Sequence, residues 1–243
     1  MTRRHATTGL LPRWLVEKVP RDHRESDTAF AHRRRVVAGV SVAGAGLLGV
    51  SLSSEPDSPR FYVLTLGVAG TWLVGGLRSG PLHLGRVRLG EHAYRPPVVT
   101  GVAAFGAFYA AALVVRRIPL LDEAITSVLS YATRGTGPLV LTTALANAVA
   151  EEVFFRGALY AALAERRAVP VSAAVYATAT AATRNPALVL ASAVMGTLFA
   201  VQRRASGGVQ APILTHVTWS ALMLRYLPPL FREPRPAGAG SAG

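Results

Sequence analysis

The 243-residue chain contains no cysteine. That excludes disulfide frameworks, zinc–thiolate sites, iron–sulfur clusters and cysteine nucleophiles, and leaves the redox compartment open. Charge is also scarce. Charged residues make up 16% of the chain and hydrophobic ones 51%, with mean hydropathy +0.34. Soluble domains carry roughly 25% charged residues, so this chain has too few to cover a water-facing surface. It is therefore neither disordered, collagen-like nor an ordinary soluble enzyme. Acidic residues are half as common as basic ones, 13 against 26, for a net charge of +13. Lysine is all but missing, Lys18 being the single one, which together with abundant alanine points to a high-GC bacterial genome. The chain has no internal repeat and no heptad run.

In a soluble protein such a basic excess would suggest nucleic acid. Here the bases avoid the apolar runs and gather between them, which fits loops held at an anionic membrane surface. The expected partners are accordingly membrane lipid and no nucleic acid, and the expected location is the cell membrane of a bacterium, as a multi-pass protein. A spanning helix needs roughly 20 mostly apolar residues. Runs over 36–53, 61–77, 97–115, 139–163, 169–182, 187–201 and 209–227 give about seven spans, the fifth and sixth being short. The fold class this predicts is all-α: a polytopic transmembrane helix bundle. Residues 118–130 read as an amphipathic helix near the surface, ended by Gly135 to Pro138.

The loop charges orient the bundle. With the N-terminus inside and seven alternating spans, the inside segments hold 17 bases and the outside segments eight, so the N-terminus is expected to be cytoplasmic. Residues 1–35 read as a basic cytoplasmic tail that stays attached, too long and too charged for a signal peptide. Within it, Leu10 to Val19 suggests a short interfacial helix anchored by Trp14. Residues 36–96 read as two accessory spans and a basic loop, 97–227 as the core, and 228–243 as a Pro/Gly/Ala-rich disordered tail.

The fourth span carries Glu151, Glu152 and Arg156. An ionisable side chain at mid-membrane depth costs about 2.5–3.5 kcal/mol on insertion scales, so three within six residues must pair or work. Glu152 and Arg156 are i and i+4 on one helix face and can neutralise each other. Glu151 points about 100° away with no local partner, and Asn147, one turn earlier, shares its face. Spacing alone leaves two readings open: glue between helices, or a spare carboxylate kept for chemistry. His216 is the one histidine of six inside a predicted span, with Thr215, Thr218 and Ser220 nearby. Lone buried histidines are more often core residues than ligands. An imidazole beside an unpaired carboxylate can nevertheless hold a divalent metal and polarise water.

The stretch Ala150-Glu151-Glu152-Val153-Phe154-Phe155-Arg156-Gly157 resembles the Glu-Glu-x-x-x-Arg signature of the CAAX-protease and bacteriocin-processing (CPBP) intramembrane metalloproteases, relatives of the type II CAAX prenyl endopeptidases. Met195 to Phe199, followed by Gly208 to His216, resembles that family's last two core helices. The resemblance runs from about Pro138 to Leu224. It implies an intramembrane metal-dependent endopeptidase acting on a membrane-associated peptide or protein. In that reading Glu151 activates water, Glu152 and Arg156 form a structural or substrate-orienting pair, and His216 lies on the metal or oxyanion side. It also implies zinc or another divalent metal, with Glu151 and His216 as ligands.

The pattern departs from the family in two places. In the middle motif, an aromatic residue followed four later by histidine, Tyr176 is followed by Thr180. In the final motif His216 is followed by Ser220 rather than asparagine or aspartate. Asn147, Tyr176, Thr180 and Ser220 are thus accessory candidates, and hydroxyls are poor zinc ligands. The departures keep two alternatives alive: a catalytically impaired member acting as a membrane binding or scaffold protein, and a small proton-linked transporter using Glu151 and His216.

Overall fold

A computed structural model describes residues 26–85 and 95–231. Among them the chain is all-helical. The helices are α1 (Asp27–Ser51), α2 (Pro59–Arg78), α3 (Arg95–Val115), α4 (Pro119–Arg134), α5 (Gly137–Ala162), α6 (Ala168–Ala181), α7 (Pro186–Ser206) and α8 (Gln210–Tyr226). Each of the seven predicted apolar runs forms a helix, and so does the amphipathic stretch, as α4. By length and composition, α1, α2, α3, α5 and α7 can each cross a membrane. The fold is a polytopic helical bundle. The expected interfacial helix at Leu10–Val19 lies outside the described residues. The expected disordered tail begins instead with a 3₁₀ turn over Pro228–Phe231, and its remainder also lies outside them.

The helix boundaries follow capping chemistry. α1 starts nine residues earlier than its apolar run, so the last part of the expected basic tail is helix. Ser26 is the N-cap, its hydroxyl accepting from the Ala29 amide, and Asp27 sits in the favourable first turn. Arg33 is tolerated in that extension because it is fully buried and donates to Ser79 Oγ and the Pro81 carbonyl, both at 3.1 Å. Ser58 caps α2 and Asn185 caps α7, each followed by proline at the helix start.

The helices alternate in direction. The chain enters at one end, where α1 and α3 begin, α2 and α5 finish, α6 and α8 begin and α7 finishes. The Val209 and Gln210 amides donate to the His83 and Leu84 carbonyls there, stitching the α7–α8 turn to the segment after α2. Gly208 permits this crossing, since a Cβ would lie 1.9 Å from the Leu84 carbonyl carbon. At the other end α4 lies between α3 and α5. Tyr131 donates to the Leu52 and Ser54 carbonyls, and Asn185 Nδ2 to the Ala124 carbonyl, all at 2.7 Å.

The core sits where α1, α2 and α5 meet. Trp72 is nearly fully buried and packs on Phe154 and Phe155, with ring centroids 4.7 and 4.9 Å away. Gly44 lets α1 approach its ring. From Glu152 to Leu159 helix α5 widens into a π-helix, and all eight residues are buried. Such segments are uncommon and recur at functional sites. Nothing in the hydrophobic pattern announces this one.

Candidate active site

The π-segment begins directly after Glu151 and carries Glu152 and Arg156 inward. Arg156 Nη1 donates to Glu152 Oε1 at 3.1 Å, the i,i+4 pair expected from spacing. The pair is fully buried and does not stand alone. His216 Nδ1 lies 2.9 Å from the same Glu152 oxygen, across from α8. Arg156 Nη2 donates to the Gly196 carbonyl on α7. Its guanidinium lies 4.6 Å from the Tyr176 ring centroid and 5.1 Å from that of Phe199, and His216 stacks on Phe199 at 4.6 Å. Gly196 is required for this crowding, because a Cβ there would lie 2.9 Å from Tyr176 Cδ1. Glu152 thus bridges two helices and orients His216. With Nδ1 engaged, the imidazole presents Nε2 as its free nitrogen.

Glu151 behaves differently. The expectation of no partner is corrected across helices: the Tyr176 hydroxyl donates to Glu151 Oε2 at 2.6 Å. Position 176 faces 151 from α6, 25 residues on in sequence, so local spacing carried no sign of it. Glu151, Tyr176, Thr180 and His216 line one cavity of about 300 Å³, and Asn147 lines it too. Glu152 and Arg156 do not. The pair sits behind the cavity wall, so it fixes His216 rather than touching anything bound. Asn147 Nδ2 donates to the Thr65 and Thr143 carbonyls, tying α5 to α2, while its Oδ1 is buried without a partner. Thr180 turns its hydroxyl back to the Tyr176 carbonyl. Ser220 lines a second, almost wholly apolar cavity of about 310 Å³ between α3, α4, α7 and α8. The two cavities share Val128, Leu129, Ala144, Leu188, Ala191, Trp219 and Leu224 as walls.

The lining of the first cavity has a direction. α5 contributes Val140, Thr143, Asn147 and finally Glu151; α8 contributes His216, Trp219 and Leu224. α6 lines it from Tyr176 onward to Thr183, and α7 from Leu188 only as far as Met195. Most lining residues come from the helix halves nearer α4, and Glu151, Tyr176, Met195 and His216, close to the helix midpoints, are the farthest from it. They form the floor. Beneath it Glu152, Phe155, Arg156, Phe199, Ala200, Gln202 and Thr215 are buried to within 2%.

Catalytic zinc takes three protein ligands and an open position. Among the described residues no group of three or more His, Asp or Glu could hold a metal. Glu152 Oε1 is engaged by Arg156 and His216 and its Oε2 is buried without a partner, while Glu151 and His216 line the cavity. The donors present do not fit a three-ligand centre.

An apolar polytopic bundle with an acid–imidazole–phenol cluster at the floor of an interior cavity defines a class: membrane proteins with a buried polar site. The model of the family Type II CAAX prenyl endopeptidase Rce1-like matches residues 133–222, from the end of α4 through Glu151 to His216. That stretch is 90 of the 243 residues, and over it the chain is similar to a membrane endopeptidase family of the CAAX-protease type. Helices α1 to α3 precede the matched segment. No curated protein and no solved structure was found to match.

Proposed function

We propose that the protein is an intramembrane endopeptidase in which Glu151 activates water against a peptide carbonyl. The observation that carries this reading is the division of labour between the two neighbouring glutamates. Glu152 is spent on Arg156 and His216 beneath the floor, while Glu151 lines the cavity with one oxygen held by Tyr176. In the proposed step a water at the floor loses a proton to Glu151 as its oxygen bonds the scissile carbon. The proton then passes to the amide nitrogen as the C–N bond breaks, which restores Glu151. His216 Nε2, fixed by the carboxylate behind it, holds the water in line. The Tyr176 hydroxyl, released when Glu151 takes up its proton, is the nearest donor for the oxyanion. No step runs through a metal.

Substrates would be membrane-associated peptides whose residues near the cut are apolar, matching walls whose exposed surface is mostly apolar. The test is cleavage of lipid-anchored, internally quenched peptides by the protein in liposomes. Glu151→Gln should lower the rate by about 10²–10⁴-fold, the usual worth of a general base, with folding unchanged. Cleavage that survives this change refutes the reading. Cleavage abolished by chelation would return zinc to the site.

One observation favours the catalytically impaired alternative: Thr180 turns its hydroxyl to backbone, and Ser220 lines the other cavity. An active wild type eliminates it. The transporter alternative gains nothing, since the described residues beneath the floor, Glu152, Phe155, Arg156, Phe199 and Thr215 among them, are buried.

A further inference from the structure

Beside Glu151 and His216, two polar groups in the cavity wall have nothing to bond. Among the described residues that line the cavity, only Asn147 and Trp219 keep a buried side-chain atom without a partner: Asn147 Oδ1, an acceptor, and Trp219 Nε1, a donor. Chemistry fixes both roles. Asn147 Nδ2 donates to the Thr65 and Thr143 carbonyls at 3.0 and 2.9 Å, so the amide cannot be turned over, and an indole nitrogen only donates. The wall hydroxyls are already committed: Thr143, Thr180, Thr183 and Ser192 each donate to a backbone carbonyl three or four residues back. A buried polar atom left unbonded costs stability, so an acceptor and a donor in one wall call for an explanation.

Their placement supplies one. Helices α5 and α8 run in opposite directions, and Asn147 lies four residues before Glu151 while Trp219 lies three after His216. Both are therefore displaced from Glu151 and His216 toward the same end of the bundle, by about 6 and 4.5 Å at 1.5 Å per residue. The Trp219 ring stands 6.0 Å from that of His216 and meets Phe108 edge-to-face at 5.3 Å. An extended chain advances about 3.4 Å per residue, so the offset corresponds to one or two residues. A trans peptide unit points its N–H and C=O in opposite directions, and so can meet an acceptor on one helix and a donor on its neighbour.

We propose that Asn147 and Trp219 clamp one peptide unit of the substrate, one or two residues from the bond that is cut, Asn147 Oδ1 accepting from its N–H and Trp219 Nε1 donating to its C=O. The inference rests on the endopeptidase reading and adds a specificity to it. The main chain loses water in a mostly apolar cavity, so a unit that finds no partner there is disfavoured. Proline, which has no N–H, is selected against at that position.

An N-methyl scan of the ligand checks this. A lipid-anchored, fluorescent Leu/Ala peptide is titrated against the Glu151→Gln protein in liposomes, with each amide methylated in turn. The cut bond is located separately, by mass spectrometry of wild-type digests. One amide, one or two residues from the cut, should lose about tenfold in affinity when methylated, because Asn147 Oδ1 is then left unpaired. The scan keeps Asn147 in place, so its tie to α2 is undisturbed. Trp219→Phe, added to the same protein, keeps a ring and removes the donor. It should weaken the unmodified peptide about tenfold, yet bind as tightly as its parent a peptide carrying a thioamide, a poor acceptor, at that unit. A ring needed only for packing would weaken both peptides equally, and that result overturns the proposal. So does a scan in which no amide, or every amide, is sensitive. Glu151-dependent cleavage with a flat scan sinks the clamp alone. A single sensitive amide in a protein that cuts nothing keeps the clamp and sinks the endopeptidase reading.

Discussion

The two halves of the bundle solve opposite problems with the same helices. In the shut half, beneath the floor, charged groups are buried to zero exposure and bonded across helices, Arg156 with Glu152, the Gly196 carbonyl and two aromatic faces, and Arg33 with Ser79 and Pro81, although Glu152 Oε2 and Arg156 Nε have no hydrogen-bond partner. In the half under α4, the walls are apolar, the polar groups few and the space unfilled. Burying a charge is tolerable only when it is paired and hydrogen-bonded. The shut half meets that condition through Glu152 Oε1 and the two Arg156 Nη groups, which tie α5 to α7 and α8. Glu151 and His216 stand at the boundary, held from below and free above. Rigid support behind a site keeps its reactive groups within a fraction of an ångström of working geometry.

The comparison is sharpest if substitutions in the shut half cost stability and those in the open half do not. The largest loss is expected for Arg156→Met, which strands the buried Glu152 carboxylate. Breaking a buried pair from one side costs about 3–5 kcal/mol, and thermal unfolding in detergent would measure it. Gly196→Val should cost about 1–3 kcal/mol by overpacking and lower cleavage by pushing Tyr176 off Glu151. An unchanged unfolding temperature for either would break the contrast.

Smaller effects belong to the open half. Tyr131→Phe removes the hydroxyl tethering α4 to the end of α1, with an expected loss of about 1 kcal/mol and faster hydrogen exchange confined to α4. The smallest is a pH effect at Asp57, outside the spans. The Tyr62 hydroxyl and the Thr136 amide hold its carboxyl below the ordinary value of 3.8. A carboxyl lowered on folding adds stability above the unfolded value and loses it as pH falls through the lowered one. Exchange at Thr136 should therefore quicken below about pH 4, and Asp57→Asn should remove that dependence.

Much of this was legible in the chain, and the particular residues say why. Glu152 and Arg156 could be paired from their spacing, because four residues on a helix is a contact. The helices themselves could be read from apolar runs, since any stretch long enough to cross lipid must satisfy its backbone internally. The Glu151–Tyr176 and Glu152–His216 contacts could not. They join residues 25 and 64 apart, on helices whose mutual rotation no single-helix pattern specifies. The apparent solitude of Glu151 was an artefact of looking only along its own helix. Likewise the early start of α1 came from a cap and a buried arginine whose partners, Ser79 and Pro81, lie on the far side of α2.

By itself, then, the sequence determined a membrane bundle, its helix order and the handful of residues able to do chemistry, because hydropathy and i,i+4 spacing act locally. Only the tertiary structure decided which glutamate bonds Arg156 and His216 and which lines the cavity, and which hydroxyl reaches it. Those outcomes depend on how side chains from four helices divide one small volume, and packing is a property of all of them together.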